Sequence, residues 1–155
     1  MRLVVQRVTH ASVRSGQEML GEIGIGAVVL TGIGARDTPG IVDCMADKLT
    51  ALRYFEDADG RTNRSIADAG GALLVVSQFT LYANVRRGRR PGFSDAALPA
   101  TAVPLLDRFV DRLRAQGLRV ETGRFGAAMV VELVNDGPFT LVVDSERDLA
   151  GSGEP

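Results

Sequence analysis

A chain with no tryptophan, one histidine and one cysteine is short of the side chains on which hydrolytic and metal chemistry usually depend. The lone Cys44 excludes an internal disulfide framework and fits a reducing compartment. It falls within an apolar helical pattern and is expected in the core. His10, at the end of the first strand-like run, would have to serve any Ser-His or Cys-His pair. A histidine at a strand end is more often structural or solvated. One His and one Cys would need several carboxylates to complete a zinc site, and no motif gathers them. No metal and no cofactor are expected. No run approaches the ~18 apolar residues of a membrane span. The apolar start "MRLVVQRVTHASV" is broken at Gln6 and Arg7, so it reads as a first strand rather than a signal peptide. The expectation is a soluble cytoplasmic protein with no membrane partner. Net charge is also scarce, at −1 from 18 basic and 19 acidic residues. Any polyanion must therefore be held by a local patch.

What is present suits one globular domain: 155 residues, of which 45% are apolar. The folded domain is expected over 1–146, with 147–155 a frayed tail without periodicity. "MRLVVQRV" and "GAVVLTGI" are β-rich, joined by a hairpin turning at Ser15-Gly16. A helix follows, with Asp37 or Thr38 as its cap, Pro39 in its first turn, and Val42, Met45, Leu49 and Leu52 on one face. The segment "FEDADGRTNRS" is polar and turn-rich. Ala72 to Phe79 is apolar without alternation and reads as a strand covered on both faces. A second helix is expected over about 101–116, with a stripe of Val103, Leu106, Val110 and Leu113 and a stop at Gly117. The count is about seven strands and two helices. Two helices cannot cover both faces of such a sheet, so the expected fold class is α/β: a single compact domain of two packed β-sheets with about two helices on one outer face, three layers in the order α/β/β. Gly24-Ile25-Gly26 lacks the third glycine at the spacing of a dinucleotide loop, and a strand follows where a helix should begin.

Three segments stand out. "SQFT", residues 77–80, ends the most buried strand with polar groups that would cost roughly 1–3 kcal/mol each if left unpaired inside. They are either bonded structurally or line a site. "RRGRRP" puts Arg86, Arg87, Arg89 and Arg90 into five positions of the next loop. Such a run is usually a solvated surface, but near a candidate site Arg can grip phosphate with a bidentate fork. "NDGPFT", residues 135–140, interrupts two apolar strands with a proline that cannot donate to a ladder. On local rules alone, Asn135 to Pro138 is a hairpin turn.

Together these pieces resemble the D-aminoacyl-tRNA deacylases of the bacterial and eukaryotic branch. "SQFTL" and "NDGPFT" match the two signature motifs of that family, and "GEIGIG", "LRYFEDADGRTN", "RGRRPGF" and "GRFGAAMVVELVNDGP" support them over nearly the whole chain. The resemblance implies a homodimer that hydrolyses the ester joining a D-amino acid, or glycine, to the 3′ end of tRNA, with no DNA partner. It implies that Gly137-Pro138 is a cis pair reaching into the other subunit's site, where its carbonyls accept from the α-amino group and its rigid backbone blocks an L side chain. It further implies that Arg7 orients this pair, that Met129 lines the pocket beside it, and that Ser77 and Phe79 shape the pocket for adenosine and the aminoacyl group. Backbone N–H groups around Gln78 and Phe79 are expected to hold the oxyanion, with the terminal 2′-hydroxyl of the tRNA helping to activate water. Thr80 as a nucleophile is the competing version. Arg86, Arg87, Arg89 and Arg90 are expected on tRNA phosphates. Two rivals remain: a non-catalytic module binding a small molecule or peptide, and a hydrolase pairing Ser77 or Thr80 with His10.

Overall fold

The computed structural model describes residues 1–86 and 88–149, a mixed α/β domain. β1 (Arg2–Ser15) turns through Gly16 into β2 (Glu18–Ile23), and β3 (Gly26–Gly32) follows. Next come α1 (Pro39–Ala51), the short strands β4 (Arg53–Glu56) and β5 (Thr62–Ser65), and β6 (Ala72–Ser77). A 3₁₀ turn (Phe79–Tyr82), α2 (Pro99–Ala115), β7 (Val120–Thr122), β8 (Val130–Asp144) and α3 (Ser145–Asp148) complete the chain. Among the described residues no helix is long and apolar enough to cross a membrane.

The large sheet runs β2-β1-β3-β6-β7, with β8 on the other edge of β1, while β4 and β5 form a small second sheet. β3, β6 and β7 are parallel; β1 is antiparallel to β2, β3 and β8. β3 and β6 are covered on both faces. Ala27, Val29, Leu73 and Val75 pack beneath the helices with Met45, Leu49, Phe109 and Leu113. Val28, Leu74 and Val76 face the opposite way, onto Val8, Ala11, Val13 and Ile23. The sheet therefore curls until one half lies on the other, and the two β layers are halves of one sheet. β1 makes the crossing: Leu3 and Val5 serve the helix-side core, Val8 and Val13 the second core, and the register with β8 shifts on both sides of Val8. A bulge changes which face a side chain meets, and that lets one strand serve both layers.

Several expectations need correction. Thr38 alone caps α1, its hydroxyl accepting from Ile41 N–H, while Asp37 holds the buried Met1 ammonium. Cys44 is exposed, because the inward face of α1 is Val42, Met45, Ala46 and Leu49. The buried stripe of α2 is Ala102, Leu105, Phe109, Val110 and Leu113, so Val103 and Leu106 sit on its shoulder. The turn-rich stretch after α1 holds the β4–β5 hairpin. The frayed tail begins too early at 147. Asp144 N–H donates to the Asp148 carboxylate (2.8 Å) and Arg147 donates to the Val142 carbonyl, which fold 145–148 into a helical turn. The remaining tail, 150–155, lies outside the described residues.

Candidate active site

β6 stops at Ser77, and its end opens a cleft of about 580 Å³. Ser77, Gln78 and Phe79 form one wall; Phe93, Ala97, Leu98 and Phe125 supply an apolar lining; Met129 and Val131 close the far side. Phe79 and Phe93 meet edge to face with ring centroids 5.0 Å apart, yet both rings remain exposed at the mouth. Two solvated aromatic rings beside an apolar cleft are suited to take a flat ring by stacking.

The backbone at the strand end is not uniformly available. Gln78 N–H donates to the Thr31 carbonyl at 2.8 Å, continuing the parallel ladder by one residue. Its amide proton is committed, which corrects the expectation that it serves an oxyanion. Leu81 N–H closes the 3₁₀ turn onto the Gln78 carbonyl. Phe79 and Thr80, the first two residues of that turn, have no acceptor within it, and among the described residues their N–H groups have no other backbone partner. The Gln78 side-chain amide donates to the Thr80 hydroxyl. Among the described residues no carboxylate or imidazole is bonded to that hydroxyl. His10 Nε2 is 2.8 Å from Glu22 Oε1 on the β1–β2 surface and does not line the cleft, so the pairing of His10 with Ser77 or Thr80 is not built.

A short loop stands next to the cleft. Asn84 and Gly92 exchange both backbone hydrogen bonds (2.7 and 2.9 Å), pinching its base just before Phe93. Arg86, Arg89 and Arg90 are exposed, and none has an ion pair with a described residue. Arg87 lies outside the described residues. Elsewhere the guanidinium groups are largely spent on neighbours, as in Arg108–Asp43 and Arg112–Asp47. The loop is thus a local concentration of uncompensated positive charge.

The 135–140 segment is not a hairpin. β8 keeps the same partner and direction on both sides of it: Asn135 stands opposite Val8 and Thr140 opposite Gln6, with Asp136 to Phe139 bulging out against Arg7. The Gly137–Pro138 peptide at its tip is cis, and both residues are exposed. Arg7, only 4% exposed, supports the bulge from below. It donates to the Asp136 carbonyl (3.1 Å) and the Tyr54 carbonyl (2.8 Å), pairs with the Asp136 and Glu56 carboxylates, and lies 4.8 Å over the Phe139 ring. Asn135 closes the feet of the bulge. Neither Gly137 nor Pro138 lines the cleft of the same chain. The five steps of extended strand from Val131 to Asp136 span about 16 Å.

Residues 4–144 match the family model described as D-Tyr-tRNA(Tyr) deacylase. The chain belongs to the D-aminoacyl-tRNA deacylase family. It is 59% identical over 147 residues to the D-aminoacyl-tRNA deacylase of Symbiobacterium thermophilum, covering 95% of this chain and 97% of that one. It is 57% identical over 145 residues to that of a Roseiflexus species, covering 94% of each. Among solved structures, one described as c-Myc DNA Unwinding Element Binding Protein aligns with a TM-score of 0.87 at 40% identity, covering 93% of this chain and 98% of that one. A probable eukaryotic D-amino acid tRNA deacylase shares the fold, with a TM-score of 0.80 at 20% identity over 92% of this chain and 97% of that one.

A deacylase of this family is a hydrolase that acts on aminoacyl-tRNA. Its chemistry here has an apolar cleft, two backbone donors at the cleft edge and a hydroxyl without a base. That inventory suits stabilisation of an oxyanion better than nucleophilic catalysis, which needs an activating partner. The structure brings Ser77, Gln78, Phe79 and Met129 together at one cleft and leaves Thr80 just outside its lining. It sets Arg7, Gly137 and Pro138 apart as a second constellation. Sequence reasoning missed Phe93, Leu98 and Phe125. Two of these are exposed aromatics flanked by glycine or arginine, and an unexplained exposed ring beside a motif is the signal that could have found them.

Proposed function

We propose that the chain acts in the cytoplasm as a homodimer in which the Gly137–Pro138 bulge of each subunit completes the cleft of the other. The observation that carries this reading is the separation of the two constellations: within one chain the bulge stands apart from the cleft it would have to serve. The surface around it supports a second copy. β8 is an edge strand of 15 residues, and Val130, Val134 and Val142 on its outer face are 49%, 56% and 57% exposed. Such a long apolar edge is an aggregation hazard unless a partner covers it.

In this assembly the terminal adenosine enters between Phe79, Phe93 and Phe125, and arginines of the 86–90 loop hold the adjoining phosphates. The ester carbonyl lies against the N–H groups of Phe79 and Thr80. The partner's Gly137 and Pro138 carbonyls receive the α-ammonium, and their backbone occupies the space an L side chain would need. A D side chain points away and is unread. Glycine, with no side chain, is not excluded, so glycyl-tRNA is also a substrate. Water attacks with help from the terminal 2′-hydroxyl. Selection by blocked volume tolerates many side chains of the permitted hand.

The test is hydrolysis of D-tyrosyl-tRNA and L-tyrosyl-tRNA in parallel. Release from the D ester with the L ester spared is the expected result, and survival of both at catalytic enzyme concentrations would contradict it. A substrate ending in 2′-deoxyadenosine should be cleaved much more slowly; undiminished cleavage removes the 2′-hydroxyl from the mechanism. The DNA-binding description of one solved relative favours a second reading, in which the same aromatic mouth and arginine loop hold unpaired DNA. A short single-stranded DNA that fails to compete with tRNA would dismiss it.

A further inference from the structure

We infer that Asn135 is a positioning residue for substrate handedness, acting by holding the two feet of the bulge together so that Gly137 and Pro138 keep one aim. This rests on the dimeric reading above. Arg7 supports the bulge from beneath, but it touches only one foot through the backbone, at the Asp136 carbonyl. The other foot is Phe139, and its backbone is held by Asn135. The Asn135 Nδ2 donates to the Phe139 carbonyl at 3.0 Å, and its Oδ1 accepts from the Phe139 N–H at 3.3 Å. The same Nδ2 donates to the Arg7 carbonyl at 2.8 Å. No residue of β8 stands opposite Arg7, so this side chain stands in for the missing ladder donor.

Only a short carboxamide fits that task. It offers two donors and an acceptor on one planar group, one carbon from the backbone. An aspartate offers acceptors only and would set a carboxylate against the Arg7 and Phe139 carbonyls. A serine brings a single donor, and a glutamine carries its amide one carbon too far. With Asn135 in place, the bulge is fixed at both feet and its tip cannot swing. Without it the Phe139 backbone loses both of its bonds and that foot is held only through its ring, against Arg7 and Tyr54; the tip moves, and the volume denied to an L side chain opens.

The loss is therefore one of discrimination more than of hydrolysis. Asn135→Asp and Asn135→Ala are compared with wild type for kcat/KM on D-tyrosyl-tRNA and L-tyrosyl-tRNA, with dimer content and melting temperature recorded for each protein. The expected result is a fall in the D-to-L ratio of at least tenfold, chiefly because hydrolysis of the L ester rises. Val143→Ala, a cavity in the buried end of the same strand, controls for lost stability and should leave the ratio unchanged. An unchanged ratio in both Asn135 variants would overturn the inference. So would an equal fall in Val143→Ala. If wild type itself fails to discriminate, the parent reading falls instead, and the two failures are told apart by that single row of the data.

Discussion

The end of β6 and the middle of β8 solve the same problem in opposite senses. Each is an apolar strand that abandons its ladder for a few residues. At Ser77–Thr80 the strand stops and turns into a 3₁₀ helix, which leaves backbone donors at the edge of a cleft. At Asp136–Phe139 the strand continues after a bulge, and what it thrusts outward is a tip with no side chain at Gly137 and no N–H at Pro138. Donors suit a developing oxyanion; carbonyl acceptors suit an ammonium. Hydrolysis of an aminoacyl ester presents both needs on adjacent carbons, an ammonium on the α-carbon and a developing oxyanion on the carbonyl carbon. The supports differ too. The β6 end is held mainly through its own backbone, by the ladder bond from Gln78 and the 3₁₀ bonds of Leu81 and Ala83, whereas the bulge is held by side chains, a buried arginine and an asparagine clamp. In the proposed reaction the element held by side chains is the one that judges shape.

The largest expected effect breaks the β8 side alone. Gly137 has a φ of 148°, and a Cβ there would meet Phe139 N at 2.5 Å and Phe139 Cβ at 2.9 Å. Gly137→Ala should displace the tip and lower kcat/KM on D-tyrosyl-tRNA by about 10²-fold, the order expected for a misplacement near 1 Å. Activity within threefold of wild type would separate the bulge from the reaction. Thr80→Ala, on the β6 side, keeps the backbone donor and should leave turnover near normal.

The arginine loop sharpens the contrast between recognition of shape and of charge. Replacing Arg86, Arg89 and Arg90 by Gln should weaken binding of all tRNAs alike and flatten the dependence of log affinity on log salt by about 2, at roughly 0.7 per phosphate contact. The D-to-L ratio should not move. An unaltered salt slope would return the loop to the role of solvated surface.

Smaller effects lie in the framework. Tyr54 is fully buried, burial pushes its phenol above the usual range, and its hydroxyl has no partner among the described residues. Tyr54→Phe removes that unpaired group while keeping the ring beside Phe139 and the carbonyl that Arg7 uses. It should raise stability by about 1 kcal/mol, read as a higher melting temperature. The smallest effect is electrostatic. Hydrogen bonds from Arg108 and Arg112 hold the Asp43 and Asp47 carboxyls below their ordinary value. Their contribution to stability is present above the unfolded pKa near 4 and is lost as pH falls through the lowered folded values. Asp43→Asn with Asp47→Asn should lose a small, salt-sensitive increment at neutral pH and show a shallower acid limb on denaturation. An acid limb identical to wild type would contradict the assignment.

How much of this could be read from the residues follows the range of the forces involved. The doubly covered β6 was legible because a run without alternation has one common cause, burial on both faces. The start of α1 was legible to within one residue for similar local reasons, a capping side chain followed by Pro39. Cys44 was misplaced because a helix of mixed small residues supports neighbouring phases, and only the sheet beneath decides between them. The first half of the α2 stripe slipped by one residue for the same reason, while Val110 and Leu113 are buried as expected. The β4–β5 hairpin was hidden in a polar segment whose strands are short and exposed. Asn135 to Pro138 reads as a hairpin locally, since a Gly-Pro pair between strands almost always turns the chain. What makes it a bulge is β1 running unbroken behind it, with Arg7 filling the gap. The cleft was half legible: polar groups ending a buried strand marked Ser77 and Gln78, but Phe93 and Phe125 arrive from distant loops.

The central claim is that the β8 bulge of one subunit serves the β6 cleft of the other. Co-expressed subunits test it directly, one carrying Gly137→Ala and the other Ala127→Trp, which puts a large ring on the lining of the cleft. Each homodimer should be nearly inactive. If the bulge acts across the interface, every mixed dimer keeps one intact site, and random pairing restores about a quarter of wild-type activity on D-tyrosyl-tRNA. If bulge and cleft serve the same chain, no mixed dimer has an intact site, and activity no higher than that of the two homodimers would contradict the account.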